Sequence, residues 1–283
     1  MRSLFLLFVT LFIGAACNTK TATTSSGSIS ATAPFVWETA FPKDMYVSLA
    51  FSAPDGEPAK VEAMMNAWET SVNGYDFFRN AGTRAEKTDT ITGPNQLRDG
   101  EFAIYKAINW PYPEYPDALA ITQIFAIRYN RGESNEYVAI QEADVIMNDE
   151  DFDFDSSNPA TFDYDFQTVL LHELGHFLGL QHKPENYPRA QTVMYPRVCS
   201  QDSVFCIGVK QAPLAVDRQD LAAKYGIVLP LTAGGSAITS APRTYTRNPS
   251  DAGELTKIIL ELRANGDCVH HADGVEFTRH QMK

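Results

Sequence analysis

The segment from residue 172 to residue 182, His-Glu-Leu-Gly-His-Phe-Leu-Gly-Leu-Gln-His, constrains this chain more than any other feature. Two histidines four residues apart on a helix project from the same face, so His172 and His176 can both reach one metal ion. After Leu178 the chain must leave the helix axis to bring in His182. Gly179 can adopt the left-handed backbone that such a turn needs. The spacing therefore predicts a helix, a turn and a third histidine that converge on one metal.

Three histidine nitrogens leave a fourth position for water, which is the coordination of a catalytic zinc site. A structural zinc is usually closed by four protein ligands, commonly cysteines, and the sequence has no Cys-x-x-Cys pair. Glu173 lies beside the first ligand, near the open side of the metal. The alternative is an amphipathic helix with half-buried histidines. His-Glu-x-x-His alone recurs by accident, whereas the longer pattern with Gly179, His182 and a downstream Met is far more specific.

These residues resemble the zinc helix of the metzincin metallopeptidases, and a second motif extends the resemblance. The segment Thr192-Val193-Met194-Tyr195-Pro196 is similar to the Met-turn of the matrixin branch. In that family the methionine forms an apolar floor beneath the histidines, so the resemblance implies that Met194 supports the site without binding metal. Some branches have a zinc-binding tyrosine two residues after the Met. This chain has Pro196 there, so Tyr195 is not predicted as a ligand.

The resemblance covers about residues 35 to 230 and implies an α+β, zincin-like fold. That fold has a twisted mixed sheet of five strands, three helices, and an active-site cleft between an upper and a lower subdomain. Residue patterns along the chain agree with it. They predict strands at Met45 to Ser52, Tyr75 to Arg79, Glu101 to Asn109, Ala118 to Tyr129 and Tyr137 to Met147. They predict helices at Pro58 to Val72, from Phe166 after an Asp165 cap, and at Asp217 to Tyr225 with Gly226 as the stop.

The first residues have the pattern of an export signal. Leu4 to Ile13 is apolar and follows Arg2, too short to span a bilayer but typical of a signal-peptide core. Gly14-Ala15-Ala16-Cys17 resembles a bacterial lipobox, in which Cys17 becomes the lipid-modified first residue, although the motif usually has Leu where Gly14 stands. We predict a signal peptide at 1–16 and a membrane-anchored lipoprotein on the extracytoplasmic side. An ordinary signal peptidase would cut the same bond, so a secreted protein is the alternative.

Three further segments follow the signal peptide. Residues 17–34 are rich in Ser, Thr and Ala, which predicts a flexible tether. This stretch is too short for the family's inhibitory propeptide, and no Pro-Arg-Cys-Gly-like motif occurs, so latency through a propeptide cysteine is not expected. Residues 35–231 are the predicted catalytic domain. Residues 232–283 are a C-terminal extension with one predicted helix, Ala252 to Ala264, and no function that the sequence indicates.

Two of the four cysteines flank a short segment between the Met-turn and the last predicted helix. An exported protein can keep such cysteines oxidised, so we predict a disulfide between Cys199 and Cys206. Two free buried thiols are the alternative. Cys268 has no evident partner except Cys17, which lipidation would occupy.

The metal inventory follows from the histidine count. The chain has six histidines, of which His270, His271 and His280 lie in the tail, and His270 and His271 are expected to be solvated rather than metal ligands. Many matrixins carry a second, structural zinc that needs several more histidines, so we predict a single catalytic Zn²⁺. The acidic run from Asp149 to Asp155 could hold Ca²⁺, as in related enzymes, but it lacks a recognisable ligand loop. A solvated acidic loop is the favoured interpretation.

Acidic residues outnumber basic ones by 35 to 23, which gives a formal charge of −12 and excludes nucleic acid as a partner. The resemblance implies a monomeric zinc endopeptidase that cleaves proteins or peptides, with Glu173 as general base. Its substrate should lie along an edge strand, within Ala118 to Tyr129. One alternative is a zinc-binding, non-proteolytic surface protein or adhesin of the same fold. Another is a non-peptidase zinc hydrolase, which would not need Gly179, His182 and Met194 together.

Overall fold

The computed structural model describes residues 29–30, 32–91, 96–154, 164–184, 186–196, 211–229, 243–265 and 267–280. The predicted signal peptide, the lipidation site Cys17 and the predicted disulfide between Cys199 and Cys206 lie outside these residues and stay predictions. Within the part of the chain that is described, no helix is both long and apolar enough to cross a bilayer.

The described residues form three α-helices and nine β-strands. The helices are α1 (Glu57–Ser71), α2 (Phe166–Phe177) and α3 (Ala215–Tyr225). The strands are β1 (Phe35–Trp37), β2 (Lys43–Ser48), β3 (Phe78–Arg84), β4 (Phe102–Ala107), β5 (Ala118–Tyr129), β6 (Tyr137–Asn148), β7 (Glu254–Arg263), β8 (Cys268–Ala272) and β9 (Val275–His280).

All nine strands belong to one mixed sheet. Its order is β3-β2-β4-β6-β5-β7-β8-β9, and β1 pairs with β6 beside β4. Strands β1 to β4 and β6 are parallel to their neighbours in that part of the sheet, whereas β5 runs antiparallel to β6. The predicted α+β class, the mixed sheet and the three helices are confirmed. A sheet of only five strands is wrong, because β1 and the C-terminal strands β7 to β9 join the five predicted ones.

The C-terminal segment contains a strand where the sequence pattern predicts a helix. Ala252 to Ala264 was expected to be helical, but the structure has β7 there, antiparallel to β5 on one side and to β8 on the other. The apolar residues Leu255, Ile258, Ile259 and Leu262 fit a helical spacing, so periodicity alone is ambiguous. A continuous buried run from Ile258 to Leu262 is what a strand between two neighbours requires, and strand pairing decides the outcome.

Strand β5 is therefore an interior strand. It pairs with β6 along one side and with β7 along the other, where Ile124 lies opposite Ile258. The expectation that a substrate lies along a free edge within Ala118 to Tyr129 is wrong for this structure. The chain's own strand β7 occupies that edge.

Helix α2 is fixed between the sheet and α1. The buried face of α1 consists of Val61, Met64, Met65 and Trp68, at the spacing that the sequence predicts. The indole nitrogen of Trp68 donates to the carbonyl of Leu171 at 3.0 Å, and that of Trp37 donates to the carbonyl of Phe177 at 2.7 Å. Two buried tryptophans thus bond to backbone carbonyls of α2, which restricts movement of the helix that carries the histidines.

Candidate metal centre

Helix α2 begins and ends where the sequence predicts. The Asp165 carboxylate accepts a hydrogen bond from the Thr168 amide at 2.7 Å and caps the first turn. At the other end the Gly179 amide donates to His176 at 2.8 Å, and the Leu180 amide donates to Gly175 at 2.9 Å. This pair of bonds is the Schellman arrangement. It directs the chain back along the helix toward the third histidine.

Gly179 is required by both its backbone and its surroundings. Its φ of 80° lies in the left-handed region, as predicted. A Cβ at this position would also lie 2.4 Å from the carbonyl oxygen of Phe35 in β1. The turn after α2 therefore passes so close to the sheet that only glycine fits.

The three predicted histidines converge through their Nε2 atoms. His176 Nε2 lies 3.1 Å from His172 Nε2 and 3.0 Å from His182 Nε2, and the third distance is 3.2 Å. Nitrogens bound at 2.0–2.1 Å to one tetrahedral zinc would be about 3.3 Å apart. The three observed Nε2–Nε2 distances are within a few tenths of an ångström of that value. The cluster can therefore hold one metal ion.

Two backbone carbonyls orient the histidines of α2. His172 Nδ1 lies 2.7 Å from the carbonyl oxygen of Val193, and His176 Nδ1 lies 2.9 Å from that of Leu180. A carbonyl can only accept, so each Nδ1 carries the proton and each Nε2 presents a lone pair to the centre. Burial lowers the pKa of His172 to about 4. The ring is thus neutral at ordinary pH, as a metal ligand must be.

Glu173 is a buried carboxylate with one oxygen held and the other without a partner. Its Oε2 accepts a hydrogen bond from the hydroxyl of Thr122 in β5. Its Oε1 is buried and has no hydrogen-bond partner among the described residues. Burial raises the pKa of Glu173 to about 8. Such an unpaired oxygen is costly unless it serves a ligand.

Met194 packs against helix α2 at Gly175. A Cβ placed on Gly175 would be 2.3 Å from Met194 Sδ and 2.9 Å from Trp68 Cζ2. The methionine sulfur thus fills the space that a side chain at Gly175 would take, between the turns that carry His172 and His176. Sequence reasoning did not single out Gly175, whose signal is a glycine inside an otherwise strong helix.

Asp217, in the first turn of α3, holds the Met-turn in place. Its buried carboxylate accepts hydrogen bonds from the amides of Val193 and Leu214, each at 2.9 Å, and from the hydroxyl of Thr192. Val193 thus donates to Asp217 through its amide and accepts from His172 through its carbonyl. The sequence indicates Asp217 only as the start of a helix, because its two Met-turn partners, Thr192 and Val193, lie 25 and 24 residues away.

The C-terminal strand β8 brings further side chains to the centre. Cys268 is fully buried, and its Sγ and one ring nitrogen each of His172, His176 and His182 lie within 4.8 Å of one another. The His270 ring lies 4.6 Å from that of His182, centroid to centroid. No pattern near Cys268 or His270 in the sequence indicates this position.

The expectation that His270 and His271 are solvated is wrong. Their exposed fractions are 3% and 9%, because β8 lies between β7 and β9 in the sheet. His271 Nε2 lies 3.1 Å from a carboxylate oxygen of Glu261 in β7. His270 packs at the metal centre and His271 does not.

Within its described part, residues 149–154, the acidic run after β6 contributes no comparable cluster. Asp149 pairs with Lys106 at 3.3 Å, and the Asp151 carboxylate accepts from the Asn148 amide nitrogen at 3.1 Å. Among the described residues, the three histidines and Cys268 form the one group of metal-ligating side chains that lie close enough together to hold an ion. The Ca²⁺ site stays a prediction.

Comparison with models of protein families gives a match to Matrixin, a peptidase family, over residues 134–208. The matched segment runs from β6 through α2 to beyond Met194 and contains all three histidines. It supports a matrixin-like metzincin and covers less than half of the chain. No curated protein was found to match the chain.

Proposed function

We propose that this protein is a zinc-dependent endopeptidase that hydrolyses peptide bonds of protein substrates. The observation that carries the proposal is the convergence of three histidine Nε2 atoms beside the buried carboxylate of Glu173. The matrixin match over the same segment supports the hydrolytic class.

His172, His176 and His182 would hold the metal. Zinc bound there would supply Lewis-acid chemistry, which lowers the pKa of a water molecule and polarises a carbonyl. The Nδ1 bonds of His172 and His176 keep both rings in the tautomer that a ligand needs. Met194 and Asp217 fix the loop that orients His172.

Glu173 would act as the general base. Thr122 holds Oε2, which leaves Oε1 to take a proton from the attacking water. The same carboxyl then returns the proton to the leaving amine. The hydrogen bond from Thr122 sets the direction of this carboxylate.

A zinc-binding surface protein or adhesin without proteolytic activity is the second candidate. The position of Cys268 favours it, because three histidines and one cysteine form a closed ligand set, which is typical of structural zinc. The intact Glu173 with an unpaired oxygen favours the peptidase. A measurement of proteolysis distinguishes the two candidate functions, because only the peptidase cleaves a protein substrate.

The test measures zinc content and casein cleavage in the same preparations. Because Cys268 lies in the cluster, both the wild-type chain and Cys268→Ala are assayed, each with and without a chelator. We expect cleavage that the chelator stops and added zinc restores, at least in Cys268→Ala. One zinc per chain with no cleavage by either protein would contradict the peptidase and leave the non-proteolytic function.

We further propose that the protein is anchored to a membrane through a lipid on Cys17. The small residues before Cys17 and the Ser/Thr-rich tether after it support this location. Cys17→Ser should release the protein from membranes, and intact-mass analysis should show acyl chains on the wild-type protein. An unmodified Cys17 on protein recovered from the medium would instead identify a secreted protease.

A further inference from the structure

We infer that Cys268 is a fourth protein ligand of the metal ion, and that β7 and β8 close the centre in the full-length chain. This inference rests on the metal centre proposed above. It extends that proposal with a ligand that neither the spacing of the histidines nor the matrixin segment contains, since Cys268 follows the matched residues 134–208.

The sulfur is within reach of a metal held by the histidines. Cys268 Sγ and the three ring nitrogens all lie within 4.8 Å of one another. With a zinc–sulfur distance of about 2.3 Å and zinc–nitrogen distances of about 2.0 Å, tetrahedral geometry places sulfur and nitrogen about 3.6 Å apart. A displacement of the thiol by about 1 Å or less would therefore complete the set, which a small side-chain rotation supplies.

Cys268 forms no disulfide among the described residues, and its surroundings suit a metal ligand. A buried cysteine most often fills an apolar space in a core. Here three imidazoles lie beside the sulfur, and a thiolate is a preferred zinc ligand. Although Cys268 also belongs to the apolar core, the three imidazoles beside its sulfur favour coordination over plain packing.

A second residue of β8 faces the same centre. Residues i and i+2 of a strand project to one side, so Cys268 and His270 share a face. The His270 ring lies 4.6 Å from the His182 ring and 5.6 Å from the His176 ring. Two independent contacts thus place one face of β8 on the histidine cluster.

Strand pairing fixes β8 in this position. Cys268 lies opposite Leu262 of β7 and opposite His280 of β9. Strand β7 in turn pairs antiparallel with β5 from Glu254 to Arg263. Cys268 is therefore held at the centre by the main sheet.

The arrangement predicts a self-inhibited chain. Four protein ligands leave no position for a water molecule, which closed structural zinc sites also lack. Strand β7 covers the side of β5 with which an extended peptide would pair through its backbone. One segment of the chain thus occupies both the ligand position and the strand edge, and loss of the Cys268 sulfur would free the ligand position for water.

X-ray absorption spectroscopy of the zinc-loaded full chain tests the inference. We expect one sulfur scatterer at about 2.3 Å beside nitrogen scatterers at about 2.0 Å. Cys268→Ala and the isosteric Cys268→Ser should lose the sulfur shell and keep the nitrogen shell. Val269→Ala, which removes a buried side chain from the opposite face of β8, is the matched control and should keep the sulfur.

Failure of Cys268 as a ligand and failure of the whole metal centre would give different spectra. If zinc binds the wild-type chain with nitrogen and oxygen scatterers only, Cys268 is not a ligand while the histidine centre stands. If zinc does not bind stoichiometrically, or if its shell contains no histidine nitrogens, the proposed centre itself fails.

Discussion

The two sides of the metal centre differ in the sequence separation of the residues that form them. On one side, α2 and the Met-turn supply three histidines, Glu173 and Met194 within 23 residues, from His172 to Met194. On the other side, Cys268 and His270 arrive from β8, far along the chain. Helical spacing and short turns determine the first side. Strand pairing across the whole sheet determines the second.

This difference separates the chemistry of the site from access to it. The helical side, which comprises α2, the turn after it and the Met-turn, would provide the three histidine ligands and the general base. Its geometry follows from hydrogen bonds such as that of His176 to the carbonyl of Leu180. We proposed that the strand side controls whether water and a peptide reach them, through Cys268 and the pairing of β7 with β5. A change on either side should therefore affect one property and spare the other.

The largest expected effect is the loss of metal from the helical side. His176→Ala removes the nitrogen that lies nearest to both other ligands, at 3.0 and 3.1 Å, so zinc measured by elemental analysis should fall from one per chain to near zero. His271→Ala is the control, because this buried histidine bonds to Glu261 and not to the cluster. Full zinc in the His176 variant would show that the ion is bound elsewhere.

Glu173→Gln should separate binding from turnover. The amide keeps the size of the side chain and can still accept from Thr122, but it cannot take a proton. We expect unchanged zinc and casein cleavage that is about 10²- to 10⁴-fold slower, compared in the Cys268→Ala background. Equal cleavage rates at equal zinc content would remove Glu173 from the mechanism.

Leu262→Ala should weaken the strand side alone. Leu262 is fully buried in β7 opposite Cys268, and loss of such a side chain costs about 2–5 kcal/mol. Hydrogen exchange should show faster opening of β7 and β8 than of α2, with zinc retained. If α2 opened equally, the two sides would form one cooperative unit and the proposed separation would fail.

Gly175→Ala should produce a smaller loss, confined to the helical side. The new methyl group would meet Met194 Sδ at 2.3 Å, and overpacking of this kind costs about 1–3 kcal/mol in the free energy of unfolding. Adding Met194→Ala should recover part of that loss, because it removes the clashing sulfur. Strict additivity in the double-mutant cycle would mean that the two residues do not contact each other.

The helical side was largely predictable from the sequence because its signals are local. The Asp165 cap and the left-handed Gly179 each follow from spacing over a few residues, whereas the role of Met194 is implied by the metzincin resemblance. The five strands from β2 to β6 were also recognisable from their composition. Their ends differ from the predicted ones by a few residues.

The strand side was not predictable because no local sequence signal distinguishes a helix from a strand in this segment. The apolar spacing in Glu254–Arg263 fits both helix and strand, and only the pairing with β5 decides between them. The pairing of β8 with β7 and β9 buries His270 and His271, which the sequence suggested were solvated tail residues. The roles of Thr122 and Asp217 were missed for a related reason, since Glu173 lies 51 residues from Thr122 and the Met-turn partners of Asp217 lie 24 and 25 residues from it.

Anomalous diffraction at the zinc absorption edge, from crystals of the full chain grown with zinc, would show directly whether the three histidines hold one zinc ion. We expect one strong peak per chain, about 2.0–2.1 Å from the Nε2 atoms of His172, His176 and His182. A peak held by other residues, a second peak of equal strength on the chain, or none at this cluster would contradict it.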